Sequence, residues 1–182
     1  MEKKSLTKTV HFTFFALLLA IGLTLHYLES FLSFPIAGFM LKIGLSNIVI
    51  VYVLMMNSDK DAILMSLSKV TLALFFSPTS NFGNFLISLS GAITSLLIMM
   101  LAKRIRKNNI IAISILGGIF HNLGQILAVI FLLRISLSIK QILNFIPYFV
   151  LLGSISGFLI GLLTNLVLTK LSNIPKKSDY NI

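Results

Sequence analysis

Six apolar stretches dominate the chain, and each is close to the length that a helix needs to cross a lipid bilayer. A spanning helix takes roughly 20 mostly apolar residues, because the hydrocarbon core is about 30 Å thick. The six stretches are Val10–Leu28, Ile36–Met56, Ala62–Phe76, Phe85–Leu101, Ile110–Leu133 and Ile146–Leu168. The pattern predicts an all-α integral membrane protein, built as a bundle of six transmembrane helices.

The low charge content supports this interpretation. Charged residues make up only 11% of the chain, and the mean hydropathy is +0.99. A soluble domain carries roughly 25% charged residues, because its surface must be hydrated. There is too little charge here to coat a globule, so the apolar surface must face the lipid bilayer. In a membrane protein, the net charge of +10 reflects the cations that collect on cytoplasmic loops. We therefore expect no nucleic-acid partner.

The positions of the cations predict the orientation in the membrane. With both termini in the cytoplasm, 11 of the 15 Lys and Arg residues fall on cytoplasmic segments, 2 on outer loops and 2 inside spans. Cytoplasmic loops of membrane proteins carry such an excess of Lys and Arg. We therefore expect cytoplasmic tails at residues 1–9 and 172–182, a transmembrane domain at 10–171, and a multi-pass protein of a bacterial cytoplasmic membrane.

The sixth stretch carries a stripe of small residues, Gly153, Gly157 and Gly161, each four positions apart. Such a stripe lets two helix backbones approach closely, which favours helix association inside a membrane. We expect these glycines to pack within the bundle. A homodimer contact is the alternative.

Two lysines fall inside the predicted spans, where an ionisable group is costly and usually has a function. Lys42 lies near the outer end of the second stretch, with Ser46 four residues on, and it could snorkel to the outer headgroups. Lys69 lies near the middle of the third stretch. It requires an acidic partner, an aqueous cavity or a bound anion, and Glu29 is the only acidic residue placed to reach the bundle interior.

The fifth stretch contains three polar side chains, His121, Asn122 and Gln125, at spacings that share one helix face. They either form hydrogen bonds between helices or line a pocket. In the second case the pocket also includes the other polar residues of the spans, Lys42, Asn47 and Lys69. A pocket of this composition is cationic and rich in donors, and suits a carboxylate, a phosphate or a diphosphate.

Catalytic motifs are missing from the sequence. It contains no P-loop, no dinucleotide fingerprint and no cysteine, and its three histidines have no neighbouring carboxylates. Synthesis of prenyl diphosphates needs clustered aspartates that hold magnesium on the diphosphate. The only close pair, Asp59 and Asp61, sits in a short predicted turn. We therefore expect no enzyme, no catalytic residue, no metal and no cofactor.

Several segments together resemble one family: Pro35–Gly38, Leu41–Ile48, Asp61-Ala62, Gly118–Gln125 and Ile146-Pro147. It is the Gx transporter family, widely labelled heptaprenyl diphosphate synthase component I. The resemblance covers roughly residues 15–171. Its most specific elements are Lys-x-Gly-Leu-x-Asn and His-Asn-x-Gly-Gln. The family is related to the substrate-binding S components of energy-coupling factor transporters, which are six-helix membrane proteins.

This resemblance implies a binding subunit for a small anionic or amphipathic solute, captured from the outer side. S components carry an Ala-x-x-x-Ala stripe on their first helix, which packs against an energy-coupling transmembrane subunit. Ala16 and Ala20 match that stripe. The resemblance then implies a complex with the coupling subunit and two ATPases.

The family label leaves a second function open, that of a membrane accessory protein of heptaprenyl diphosphate and menaquinone biosynthesis. Such a protein would hold a prenyl diphosphate or dock a soluble polyprenyl synthase, through the basic segment Lys103–Lys107. Relatives are also linked with quinone- or flavin-dependent electron transfer.

Overall fold

The structure is a computed structural model that describes residues 2–31, 34–36, 39–41, 44–56, 59–76, 81–105, 109–132 and 139–172. This part of the chain forms six helices and a small hairpin between the first two helices. The elements are α1 (Glu2–Ser30), β1 (Phe34–Ile36), β2 (Phe39–Leu41), α2 (Asn47–Met56), α3 (Asp59–Phe76), α4 (Phe82–Ile105), α5 (Ile110–Leu132) and α6 (Ile139–Ser172). The all-α fold class is thereby confirmed.

Asparagine side chains cap the starts of two helices. Asn81 Oδ1 accepts a hydrogen bond from Asn84 N (2.7 Å) at the start of α4, and Asn109 Oδ1 accepts one from Ala112 N (3.0 Å) at the start of α5. An N-cap side chain of this kind satisfies a backbone N–H that has no partner in the first turn. The polar breaks in the sequence therefore set the boundaries of these helices.

The second apolar stretch is not one helix, and the prediction of a helix from Ile36 is wrong. Residues 34–36 and 39–41 form an antiparallel hairpin in which Phe34 lies opposite Leu41. Gly44 has a φ of 91°, a left-handed conformation that a helix cannot contain, and α2 begins only at Asn47. Ser46 therefore precedes α2 and does not lie within a helix. Lys42 itself lies outside the described residues.

Among the residues that the structure describes, four helical segments are long and apolar enough to cross a membrane: Thr9–Ser30, Phe82–Ile105, Ile110–Phe131 and Ile146–Lys170. At 10 residues, α2 extends for about 15 Å, half of a bilayer core. The 18 residues of α3 include four charged ones, Asp59, Lys60, Asp61 and Lys69. A six-span count therefore stays a prediction, as does the orientation.

The centre of the bundle is α2, which is apolar on every side and buried from Val49 to Leu54. Around it lie Met65 of α3, Met99 of α4, Ile113 of α5 and Ile160 of α6. By contrast α1 is peripheral, since only 11% of its membrane-length window is buried.

The glycine stripe of α6 lies against α5. A Cβ atom added at Gly153 would lie 2.7 Å from Gly118 O, one at Gly157 would lie 2.5 Å from Ser114 O, and one at Gly161 would lie 2.8 Å from the Ile111 Cα. No side chain fits at these distances, so the two backbones are in direct contact. This geometry is that of packing within the bundle.

The two ends of the bundle carry different polar contacts. At one end, Lys103 Nζ donates to Asp59 Oδ1 (2.9 Å) and to Leu54 O (2.7 Å). These bonds join the end of α4 to the end of α2 and the start of α3, and we call this the Lys103 end. At the opposite end α1 finishes and α2 begins, and we call it the Glu29 end.

Replacing a glycine of the α5–α6 contact by alanine should destabilise the bundle. We expect Gly157→Ala to lower the free energy of unfolding by about 1–3 kcal/mol, the range of overpacked cores, because the methyl group meets backbone atoms. Gly22→Ala is the matched control, since a Cβ there meets only side chains, of Val49 and Lys69, at 3.6–3.7 Å. Thermal unfolding in detergent measures both. An equal effect of the two substitutions would contradict the packing.

Candidate functional site

Buried polar side chains from four helices surround a small cavity at the Glu29 end. The lining residues are His26 and Glu29 of α1, Gly44 and Ser46 before α2, Lys69 and Val70 of α3, Ser88 and Ala92 of α4, and His121 and Gln125 of α5. We call it the Lys69 cavity. Its volume is about 10 Å³, about the least space that holds one water molecule.

Glu29 binds the chain just before α2. Its Oε1 accepts hydrogen bonds from Gly44 N and from Leu45 N (3.2 Å), and its Oε2 accepts one from Ser46 Oγ (3.3 Å). The carboxylate is only 1% exposed. A negative charge at a helix N-terminus is favourable, because the aligned peptide dipoles leave partial positive charge there. Glu29 therefore ties the end of α1 to the start of α2.

Lys69 is joined to the same network from α3. Its Nζ donates to Ser46 Oγ (3.1 Å) and to Asn47 Oδ1 (2.9 Å), and the residue is only 3% exposed. The Ser46 hydroxyl thus connects the ammonium of Lys69 with the carboxylate of Glu29. A buried charge is tolerated when an opposite charge and hydrogen bonds compensate its desolvation. The charge of Lys69 is accordingly balanced within the chain, and the cavity is not purely cationic.

The α5 side of the cavity is formed by His121 and Gln125, one turn apart. Gln125 Nε2 and His121 Nε2 lie 3.1 Å from each other. Gln125 is 1% exposed, and among the described residues its Oε1 has no hydrogen-bond partner. Such a buried acceptor costs free energy unless something donates to it. It is an open hydrogen-bonding position in the wall of the cavity.

A close approach of α4 holds these two side chains in place. A Cβ atom added at Gly91 would lie 2.8 Å from Gln125 Cγ and 2.9 Å from His121 O. Ser90 Oγ also donates to Gly124 O (2.8 Å), and Thr94 Oγ1 donates to Phe120 O (2.9 Å). The wall contributed by α5 is therefore fixed by packing and hydrogen bonds.

Four of the six predicted binding residues come together. Lys69, His121 and Gln125 line the cavity, and Asn47 binds Lys69 beside it. Asn122 is buried but directed to α6, where its Nδ2 donates to Phe149 O (3.0 Å). For Asn122 the structure thus shows a hydrogen bond between helices. Lys42 lies outside the described residues.

The predicted partner-binding residues lie elsewhere. Ala16 and Ala20 are exposed on α1, while the buried face of that helix carries Gly22, His26 and Glu29. Sequence reasoning did not include His26, Glu29 or Ser46 among the site residues. The available signal was that Glu29 is the only acidic residue placed to reach Lys69.

No metal site accompanies the cavity in the described ranges, where no group of three or more His, Cys, Asp or Glu side chains could hold an ion. Asp59 is bonded to Lys103, and Asp61 lies 3.7 Å from His11 Nε2. Both aspartates sit at the Lys103 end, about 12–15 Å from Lys69 along α3.

Comparison with known proteins gives one match. A protein-family model described as heptaprenyl diphosphate synthase component I matches residues 18–167. This range contains every residue that lines the Lys69 cavity. No curated protein and no solved structure matches the chain.

The network around Ser46 predicts that Glu29 and Lys69 are energetically coupled. Glu29→Gln and Lys69→Met should each destabilise the protein by about 3 kcal/mol, because each leaves the other charge buried without its partner. The double variant should lose less than the sum, with a coupling of about 0.5–3 kcal/mol. Denaturant unfolding in detergent measures this. The control combines Glu29→Gln with Lys103→Met, at the opposite end, and the losses of unfolding free energy should then be additive. Additive losses for the Glu29–Lys69 pair would refute the coupling.

Proposed function

The chain belongs to the heptaprenyl diphosphate synthase component I family, and we propose that it is a non-catalytic membrane subunit that binds a small anionic or amphipathic solute. The Lys69 cavity is the proposed binding site. The observation that carries the proposal is that one cavity is lined by a residue with a buried ammonium, Lys69, and by Gln125, whose buried Oε1 has no partner among the described residues.

The buried charges favour a binding role over a purely structural one. Removing an ion pair from water costs several kcal/mol per ion, and apolar residues of similar volume are often as stabilising. Ionisable groups inside membrane segments therefore mark ligand or ion sites by default. In this chain they are gathered around a cavity whose wall includes two histidines, His26 and His121.

The size of the cavity indicates a closed state. About 10 Å³ holds a water molecule at most, so a solute enters only when part of the wall moves. We propose that the segment Gly44–Ser46 moves, because its three hydrogen bonds to α1 all go to one side chain, that of Glu29, and displacement of this carboxylate would release them together. In the predicted orientation the Glu29 end faces the outside, so that the solute would be captured there.

Transport would need an energy source outside this chain. We propose that α1 provides the docking surface for an energy-coupling transmembrane subunit with its ATPases. Support comes from the peripheral position of α1, whose membrane-length window is only 11% buried, and from the exposed Ala16 and Ala20. Small residues on an exposed helix face permit close backbone packing with a partner helix.

The family description favours a second candidate, an accessory protein of heptaprenyl diphosphate and menaquinone synthesis. In this role the chain would recruit a soluble polyprenyl synthase to the membrane. Arg104 is exposed at the Lys103 end of α4 and would contribute to a basic docking surface. Co-purification of the tagged chain with the polyprenyl synthase of the same cell tests this role, and Arg104→Glu should weaken the association.

Ligand binding should stabilise the purified protein through Lys69. The panel contains flavins, vitamins, carboxylates and prenyl diphosphates, and a ligand at a hundredfold excess over its Kd adds about 2.7 kcal/mol of stability. Thermal unfolding in detergent measures the shift. Lys69→Ala should abolish it, whereas Lys60→Ala, which removes an exposed lysine of the same helix, should retain it. A shift that survives Lys69→Ala would rule out the Lys69 cavity as the site.

A bulky side chain in the alanine stripe of α1 should weaken partner binding without unfolding the chain. We expect Ala20→Phe to lower the yield of a complex co-expressed with the coupling subunit and ATPases by about tenfold, or 1.4 kcal/mol. Leu151→Phe, at a 59% exposed position of α6, is the control and should leave the yield unchanged. Equal yields for both variants would argue against docking through α1.

A further inference from the structure

We infer that the Glu29 carboxylate is the resident occupant of an oxyanion subsite at the start of α2, and that the anionic group of the solute displaces it. The ligand class is then an oxyanion, that is, a carboxylate or a phosphate-type group. This inference rests on the proposed function, because it concerns the same cavity.

The donor set around Glu29 is the one that an anion requires. Gly44 N, Leu45 N and Ser46 Oγ all donate to this single carboxylate. Backbone N–H groups that converge at a helix N-terminus bind carboxylates and phosphates, because the helix dipole adds to the hydrogen bonds. With 10 residues, α2 is a half-length helix, and its first residue, Asn47, is buried. Membrane transporters use half-helix ends of this kind to bind anionic groups of their substrates.

Lys69 extends the subsite on its other side. Its Nζ donates to Ser46 Oγ at 3.1 Å, so the hydroxyl that donates to Glu29 is itself bound to a cation. An oxyanion in the place of the carboxylate would meet the same three donors and the same positive charge. Glu29 therefore has the contacts that the solute would need.

The Gln125 side chain gives an independent indication that a ligand belongs here. Gln125 lines the cavity, and no group in the described part of the chain donates to its Oε1. Glu29, as a carboxylate, offers no proton to this oxygen. A protonated phosphate oxygen, or an N–H or O–H group next to the solute's anionic group, would supply the missing donor.

Competition between Glu29 and the solute has a measurable consequence. When the competent state of a site is populated only in part, the apparent affinity falls by that fraction. If Glu29 fills the subsite more than about 90% of the time, its neutralisation should tighten anion binding by about tenfold or more.

The experiment titrates the full-length protein in detergent with inorganic phosphate, inorganic diphosphate and acetate, using calorimetry. Glu29→Gln should bind at least one of these anions about tenfold more tightly than the wild type. Lys69→Met should abolish anion binding, both alone and in combination with Glu29→Gln. Asp61→Asn removes one negative charge at the Lys103 end and controls for net charge, so its affinity should stay at the wild-type value. The preferred anion distinguishes a phosphate-type solute from a carboxylate.

A second variant covers the case in which Glu29→Gln fails to fold. Glu29→Asp keeps the charge but withdraws the carboxylate by one methylene group from Gly44 N, and should give a smaller gain in affinity. Thermal unfolding without ligand verifies that each variant is folded.

Two results would overturn the inference. If the wild type binds an anion through Lys69 but neither Glu29 variant binds it more tightly, Glu29 does not compete, and the proposed function stands without it. If neither the wild type nor the Glu29 variants bind any of the three anions, the oxyanion subsite is rejected. The panel of larger solutes then decides the proposed function separately.

Discussion

The structure depends on one constraint, the neutralisation of a lysine ammonium deep inside an apolar bundle. Lys69 is 3% exposed, and at such a site an uncompensated charge would cost several kcal/mol. Three elements meet this requirement together. α1 contributes the Glu29 carboxylate, the segment before α2 contributes Ser46, and α2 begins with Asn47, whose side-chain oxygen accepts from Lys69. The short length of α2 is consistent with this requirement, because the N-terminus of a membrane-length helix would lie beyond the Lys69 ammonium.

The other half of the bundle is a rigid support for the site. Direct backbone contact through Gly153, Gly157 and Gly161 holds α6 against α5, and Gly91 brings α4 equally close to Gln125. Small residues of this kind provide helix association where lipid removes the hydrophobic driving force. The polar wall of α5 is thus fixed, while the Gly44–Ser46 segment opposite is held to α1 by the carboxylate of Glu29.

Much of this arrangement is predictable from the sequence. The long apolar runs of α4, α5 and α6 and the asparagine caps before α4 and α5 locate those helices to within a few residues at most ends, although α6 begins seven residues before its apolar stretch. The buried Lys69, Asn47, His121 and Gln125 stand out because polar groups are rare in such runs.

The hairpin is less predictable, because a short apolar run around Pro35 is compatible with either a strand or a helix. The direction of Asn122 depends on the position of Phe149 O in α6, and the role of Glu29 depends on backbone groups 15 and 16 residues further along the chain. Local patterns carry no information on such distant contacts.

The most direct test of the account is solid-state NMR of the protein in lipid, with a 15N label at Lys69 Nζ. We expect a short distance from this nitrogen to the Asn47 side-chain carbonyl, in agreement with the 2.9 Å hydrogen bond. We also expect that a phosphate-containing solute that stabilises the protein produces a dipolar coupling between its 31P and the same nitrogen. A Lys69 ammonium that exchanges freely with water and shows no coupling to 31P would contradict the central claim that the buried Lys69 cavity is the binding site.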